Sequence, residues 1–220
     1  MSVRVRNTLK KFLQRIDRYS PWPGLYDWMM SPGERSIFDA TVRNCKNYLE
    51  FGAGGSTLRV LQKSKATVHS VESSDEWISH LRRYFMIRRH EGKRLTFHLV
   101  DIGPTLRWGY PADISKDASF PDYSATVFNN FSARQIDVIL IDGRFRVACA
   151  LSSIIHALLS KQLESTIMIH DYWNRDYYHE VQKYLEMKER ADSLGVFRIK
   201  QNIDLEQVSK DYDKYKFDPR

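Results

Sequence analysis

An α/β fold, with an open and largely parallel sheet flanked by helices on both faces, is predicted from three observations. From residue 46 onward, short apolar runs alternate with segments of helical spacing, and strands joined through helices run parallel. All five strand candidates end in or next to an acid: Glu50, Glu72, Asp101, Asp142 and Asp171. Two further runs, at 184–190 and 194–199, are spaced for a hairpin that adds an antiparallel edge.

Taken in chain order, the first 18 residues place Val5, Leu9, Phe12, Leu13 and Ile16 at helical spacing, with Lys and Arg on the other face. Two prolines in Ser20-Pro-Trp-Pro-Gly24 stop that helix. A second helix should follow Ser31, a good cap, with Pro32 in its first position. Runs at 47–51, 67–71, 95–100, 136–141 and 166–169 are short, β-branched or aromatic, and read as strands. Helices are expected at 56–64, 75–90 and 145–161. Residues 103–131 interrupt this rhythm with Gly103-Pro, Trp108-Gly-Tyr-Pro111 and Phe120-Pro. A long aromatic loop beside strand ends suits a substrate cover. The last 20 residues are charged and read as a surface tail. This divides the chain into a helical extension or lid (1–45), one α/β body (46–200) and a tail (201–220), with no internal repeat.

The composition agrees with this reading: 220 residues, 42% hydrophobic and 28% charged, make one ordinary domain with a sizeable core. Its longest apolar run, at 136–141, holds a carboxylate and falls far short of the ~20 residues that cross a bilayer. Cys45 and Cys149 supply no disulfide framework, and no apolar signal segment follows the basic start, so a cytoplasmic setting is expected. The net charge of +7 is local. Residues 1–18 hold six bases against Asp17, and residues 82–94 hold six against Glu91, so each cluster carries +5 and everything else sums to −3. Both clusters read first as solvated helix faces, and the 1–18 helix is also suited to weak contact with an anionic membrane surface.

Ligands of open parallel sheets sit beyond the carboxyl ends of the strands. There the first strand runs through Glu50-Phe51-Gly52-Ala53-Gly54-Gly55-Ser56 straight into a helix, and glycines allow a tight turn and close backbone approach. Glu72 follows about 20 residues on, where an acid can hold both hydroxyls of a ribose. A dinucleotide loop starting at Gly52 would need glycine at 57, where Thr57 stands.

Over residues 47–171 this glycine loop, the Glu72 strand end and Ile141-Asp142-Gly143 resemble class I S-adenosylmethionine (SAM)-dependent methyltransferases. The resemblance implies a Rossmann-like, seven-stranded sheet with an antiparallel last strand, which the 184–199 hairpin would supply. It also implies that the loop (Glu50, Phe51, Gly52, Ala53, Gly54, Gly55, Ser56) wraps the methionine part of SAM. Glu72 with Ser73 would hold the ribose, Asp101 with Ile102 would lie near the adenine, and Asp142 would border the site. Ser56 departs from the family's third glycine.

Ile141-Asp-Gly-Arg-Phe-Arg146 and Met168-Ile-His-Asp-Tyr172 are similar to the sugar and catechol O-methyltransferase branch. In that branch, acids at the fourth and fifth strand ends bind a divalent cation. Carried over, Asp142, Asp171 and Asn174 would ligate Mg²⁺ or another divalent ion, and His170 would be the general base. The expected partner is then a glycan or other small hydroxylated acceptor. RNA methylation, which the basic clusters favour, and a non-catalytic SAM-fold partner module are the alternatives. No nucleobase motif such as Asn-Pro-Pro-Tyr supports RNA.

Overall fold

A computed structural model describes residues 12–131 and 135–220. Its centre is a seven-stranded sheet in the order β3-β2-β1-β4-β5-β7-β6. Strands β1 (Asn47–Phe51), β2 (Thr67–Glu72), β3 (Leu95–Leu99), β4 (Val138–Ile141) and β5 (Thr166–Ile169) are parallel, as predicted. The hairpin β6 (Leu185–Ala191) and β7 (Leu194–Ile199) joins β5 antiparallel. Strand order reverses at β1, which pairs with both β2 and β4, so the crevice for a ligand opens there.

Alternation along the central strands separates two cores. Leu49, Phe51, Ile139, Ile141, Ile167 and Ile169 face one layer, with α7 (Arg146–Leu159) packed on it. Tyr48, Val138, Leu140 and Met168 face the other, with α2 (Pro32–Val42) and α3 (Gly55–Lys63). Burial on both faces explains why these strands read as unbroken apolar runs. Ser31 caps α2 in a reciprocal capping box with Glu34, and Pro32 opens the helix.

Three expectations need correction. The helix expected over 75–90 is two, α4 (Asp75–Leu81) and α5 (Phe85–His90). The chain turns at Tyr84, whose ring is buried under Arg18, and the Phe85 N–H donates to the Arg18 carbonyl at 2.7 Å. The 103–131 segment is largely short helical turns, including α6 (Phe120–Ala125), with Phe120, Tyr123, Val127 and Phe131 buried in the core. The last residues are not a tail: α8 (Leu205–Tyr215) packs on α7 through fully buried Val208. The carbonyls of Pro219 and Arg220 then accept the Phe145 and Arg146 N–H groups, satisfying the start of α7. Of the first predicted helix, residues 12–17 are helical (α1), and residues 1–11 lie outside the described residues.

Candidate active site

The glycine loop joins β1 to α3 at the point where strand order reverses. Gly52 has φ +96°, and a side chain there would meet the backbone of Gly143 at 2.7 Å, so only glycine fits where the β1 and β4 ends cross. Its N–H donates to the Val71 carbonyl at 2.9 Å, while the Asp142 N–H donates to the Phe51 carbonyl at 2.9 Å. At Gly54, by contrast, an added Cβ would meet no atom within 4 Å, so the space beside the loop there is open. The Ala53 carbonyl accepts the Trp77 indole N–H at 2.8 Å, which ties the loop to α4.

Glu50 is fully buried and does not face the crevice. Its carboxylate accepts hydroxyls from Ser56 (2.7 Å), Ser70 (2.8 Å), Tyr48 (3.1 Å) and Thr57. Burial pushes its carboxyl up to about 7 even though the bonds from Thr57, Ser56 and Ser70 act the other way. Glu50 is therefore the loop's anchor. Ser56, where the family has its third glycine, supplies one of the anchoring hydroxyls. Glu72 links the second strand end to the same loop: Oε2 accepts the Ala53 N–H at 3.2 Å, and Oε1 accepts those of Ser73 (2.7 Å) and Ser74 (3.0 Å). Burial raises its pKa against those bonds. Ile102 is buried in the core, whereas Asp101 is exposed, accepts the Gly103 N–H at 3.0 Å and pairs with Lys116. The turn over Arg107–Gly109 arches above this end of the sheet and stacks Tyr110 on the Arg144 guanidinium, 4.1 Å from the ring centre.

At the β4 and β5 ends, the structure brings Asp142, His170 and Asp171 together, with one donor atom of each within 4.8 Å of the others. His170 is buried, with Nδ1 2.9 Å from Asp142 Oδ1 and Nε2 3.5 Å from Glu34. Burial would lower its pKa, but Asp142, Asp171 and Glu34 outweigh that and hold it at about 9. At neutral pH it is an imidazolium with no free lone pair, so as placed it does not fit a resting general base. Burial alone would raise the Asp142 pKa, yet His170, Arg146 and Arg144 keep it below the usual value.

The same geometry tests the divalent cation. Arg146, 4% exposed, donates to Asp142 and Asp171, each at 3.2 Å, and to the carbonyls of Gly143 and His170. Arg175 adds a second ion pair to Asp171 at 2.9 Å. Two carboxylates thus already face two guanidiniums and an imidazolium, and a metal would have to displace a buried, fully bonded arginine. Asn174 is exposed, and among the described residues no hydrogen bond joins it to the group. These residues do not fit a hard-cation site. Arg146 and Glu34, both buried here, were not among the residues expected at the site. Glu34's capping-box spacing to Ser31 was visible, but the contact across to His170 and to Ser193 (3.0 Å from its N–H) is tertiary.

No family model matches the chain, and no curated protein does. Among solved structures, it is similar to a methyltransferase-like protein from Silicibacter pomeroyi, with 28% identity over 88% of this chain and 98% of that one, at a TM-score of 0.74. It also shares its fold with a caffeoyl-CoA O-methyltransferase-like protein from Staphylococcus aureus (14% identity, 88% and 91% covered, TM-score 0.50). A methyltransferase from Podospora anserina, solved with S-adenosylhomocysteine bound, is similar at the same identity and TM-score, with 91% and 97% covered. The fold is the Rossmann-like fold of SAM-dependent methyltransferases, with the antiparallel hairpin that the resemblance implied.

Proposed function

We propose that the chain is a SAM-dependent methyltransferase acting on an oxygen of a small hydroxylated acceptor, such as a sugar or glycan hydroxyl, without a divalent cation. The observation that carries this reading is the placement of Asp142. Its backbone is bonded to the strand that leads into Gly52, and its carboxylate is kept ionised by His170 and Arg146. When bound, SAM supplies a methyl group on a sulfonium, an electrophile strong enough that positioning the acceptor is the main task left to the protein. The open space at Gly54, which in this reading is the cofactor's cradle, and the Glu72 carboxylate are where the residues fit that cofactor, with Glu72 Oε2 keeping accepting capacity beyond its single bond to Ala53. Asp142 Oδ1 is taken by His170 and Arg146, which leaves Oδ2 to accept the acceptor's hydroxyl proton and aim its oxygen. As the O–CH₃ bond forms, that proton leaves through Asp142 to solvent. Arg146 and His170 hold the carboxylate in place while it does so, acting as positioning residues.

The test is turnover on a panel of sugars and catechols, read as released S-adenosylhomocysteine and as a methylated acceptor by mass spectrometry. Turnover should survive chelation unchanged, and Asp142→Asn should lower kcat about 100-fold, the scale of a lost proton acceptor. Activity abolished by chelator and restored by Mg²⁺ would contradict the metal-free reading.

A further inference from the structure

The second basic cluster plays no part in the site at the carboxyl ends of the strands: its Arg89 and Arg94 lie at the opposite edge of the sheet, while of the first cluster only Arg15 and Arg18 fall within the described residues. A cavity of ≈ 760 Å³ opens there, walled by residues that lead into the strands: Cys45 and Lys46 ahead of β1, Ser64 and Lys65 ahead of β2, Arg94 ahead of β3. Its charged lining is Arg43, Lys46, Lys63, Lys65, Arg89 and Arg94, with no acid among them. Among the described residues, Lys63 alone of the six reaches a carboxylate, that of Asp39 at 3.4 Å. Arg94 is half-buried, and its guanidinium is spent on the carbonyls of Leu61 and Ala66 and on the His90 ring. Burial depresses its pKa, and His90 beside it is lowered by burial and then by Arg94, Arg89 and Lys93. This concave lining carries an excess of positive charge even with Asp39 on Lys63 and the Asp137 carboxylate on the Lys46 amide, and such a field attracts a phosphate-bearing anion.

A second feature borders it. Trp22, 63% exposed, forms part of the cavity wall, and Phe12, Leu13, Ile16, Tyr19 and Leu25 near it in the chain are also exposed. Residue 18 of this segment is fixed to α5 through the Arg18–Phe85 backbone bond, and Trp22 stands in the same wall as the cations. A soluble phosphate would account for the cations alone. RNA would use the aromatic rings for stacking but leave Leu13, Ile16 and Leu25 in water. Apolar and aromatic side chains in a segment that reaches a cluster of cations match the boundary of an anionic bilayer.

We propose that this amino-end face docks on an anionic phospholipid membrane, with a headgroup phosphate in the basic cavity and Phe12, Ile16 and Trp22 in the interface. The proposal does not depend on the methyl-transfer reading. The test is sedimentation of the full chain with vesicles of phosphatidylcholine alone or with about 30% phosphatidylserine. Binding should be at least about tenfold stronger to the anionic vesicles and be lost at about 0.5 M salt. Lys65→Glu and Arg89→Glu lie on exposed side chains that leave the fold intact, and each should weaken binding by about fivefold or more. Phe12→Ser with Trp22→Ser should weaken it at every salt concentration, and all variants should keep the wild-type melting temperature. Equal or absent binding to the two vesicle types would overturn the proposal. So would inorganic phosphate or single-stranded RNA binding without vesicle binding, or a Trp22-dependent dimer by light scattering that does not sediment with vesicles.

Discussion

His170 shows how far surroundings move a side chain from its ordinary chemistry. Alone in the sequence it is a histidine beside an aspartate, a general-base candidate. Enclosed by Asp142, Asp171 and Glu34, it is held charged to about pH 9. Because its pKa is raised above the ordinary 6.5, the stabilisation from its ion pairs is complete below pH 6.5 and is lost as pH rises toward 9. Urea unfolding of the wild type should therefore show stability falling between pH 6.5 and 9, and His170→Gln should flatten that slope. A wild-type slope unchanged by the substitution would show that His170 is not held as an imidazolium. Glu50 carries the same lesson with the opposite charge. From sequence it stands in the cofactor loop, but its four hydroxyl partners lie on β1, β2 and α3, and only the fold shows that they converge.

The elements with strong local signals were legible in the sequence. Strands β1 to β5 are apolar because both faces are covered, Ser31 and Pro32 mark the start of α2, and the 184–199 hairpin pairs two runs across a short turn, with one shift of register between Met187 and Glu189. The elements missed were those whose signal is thin or tertiary. In α8, Leu205, Val208, Tyr212 and Tyr215 keep helical spacing, but charged residues surround them and only Val208 is fully buried. The break between α4 and α5 depends on Arg18, more than 60 residues earlier in the chain. The importance of α8 can be measured directly. Val208→Ala should cost on the order of 2 kcal/mol, and removing residues 205–220 should speed hydrogen exchange at the Phe145 and Arg146 amides, which donate to the Pro219 and Arg220 carbonyls. Unchanged exchange there would mean that the C-terminus does not secure α7.

At the scale of the whole molecule, the parallel sheet separates two chemistries. The carboxyl edge gathers Glu72, Asp142 and Asp171 around a glycine turn, and the amino edge gathers Arg43, Lys46, Lys65 and Arg94 around a cavity. The +7 of the full sequence comes from two clusters of +5 each against −3 elsewhere, which is why net charge alone points to nucleic acid and its distribution does not. The acids at the strand ends were countable in the sequence; that Arg146 and Arg175 already neutralise two of them required the packing of α7 and the loop after β5. SAM is expected to bind in the cradle beside Gly54. Gly54 has a φ of 172°, and a Cβ there meets nothing within 4 Å, so Gly54→Val, with circular dichroism to check its fold, is expected to fill that space. Calorimetric titration of the wild type with SAM and with S-adenosylhomocysteine should show micromolar binding of both, weakened at least about tenfold in Gly54→Val by the steric loss of the cradle. A wild type that binds neither, or a variant that binds both as tightly as the wild type, would contradict it.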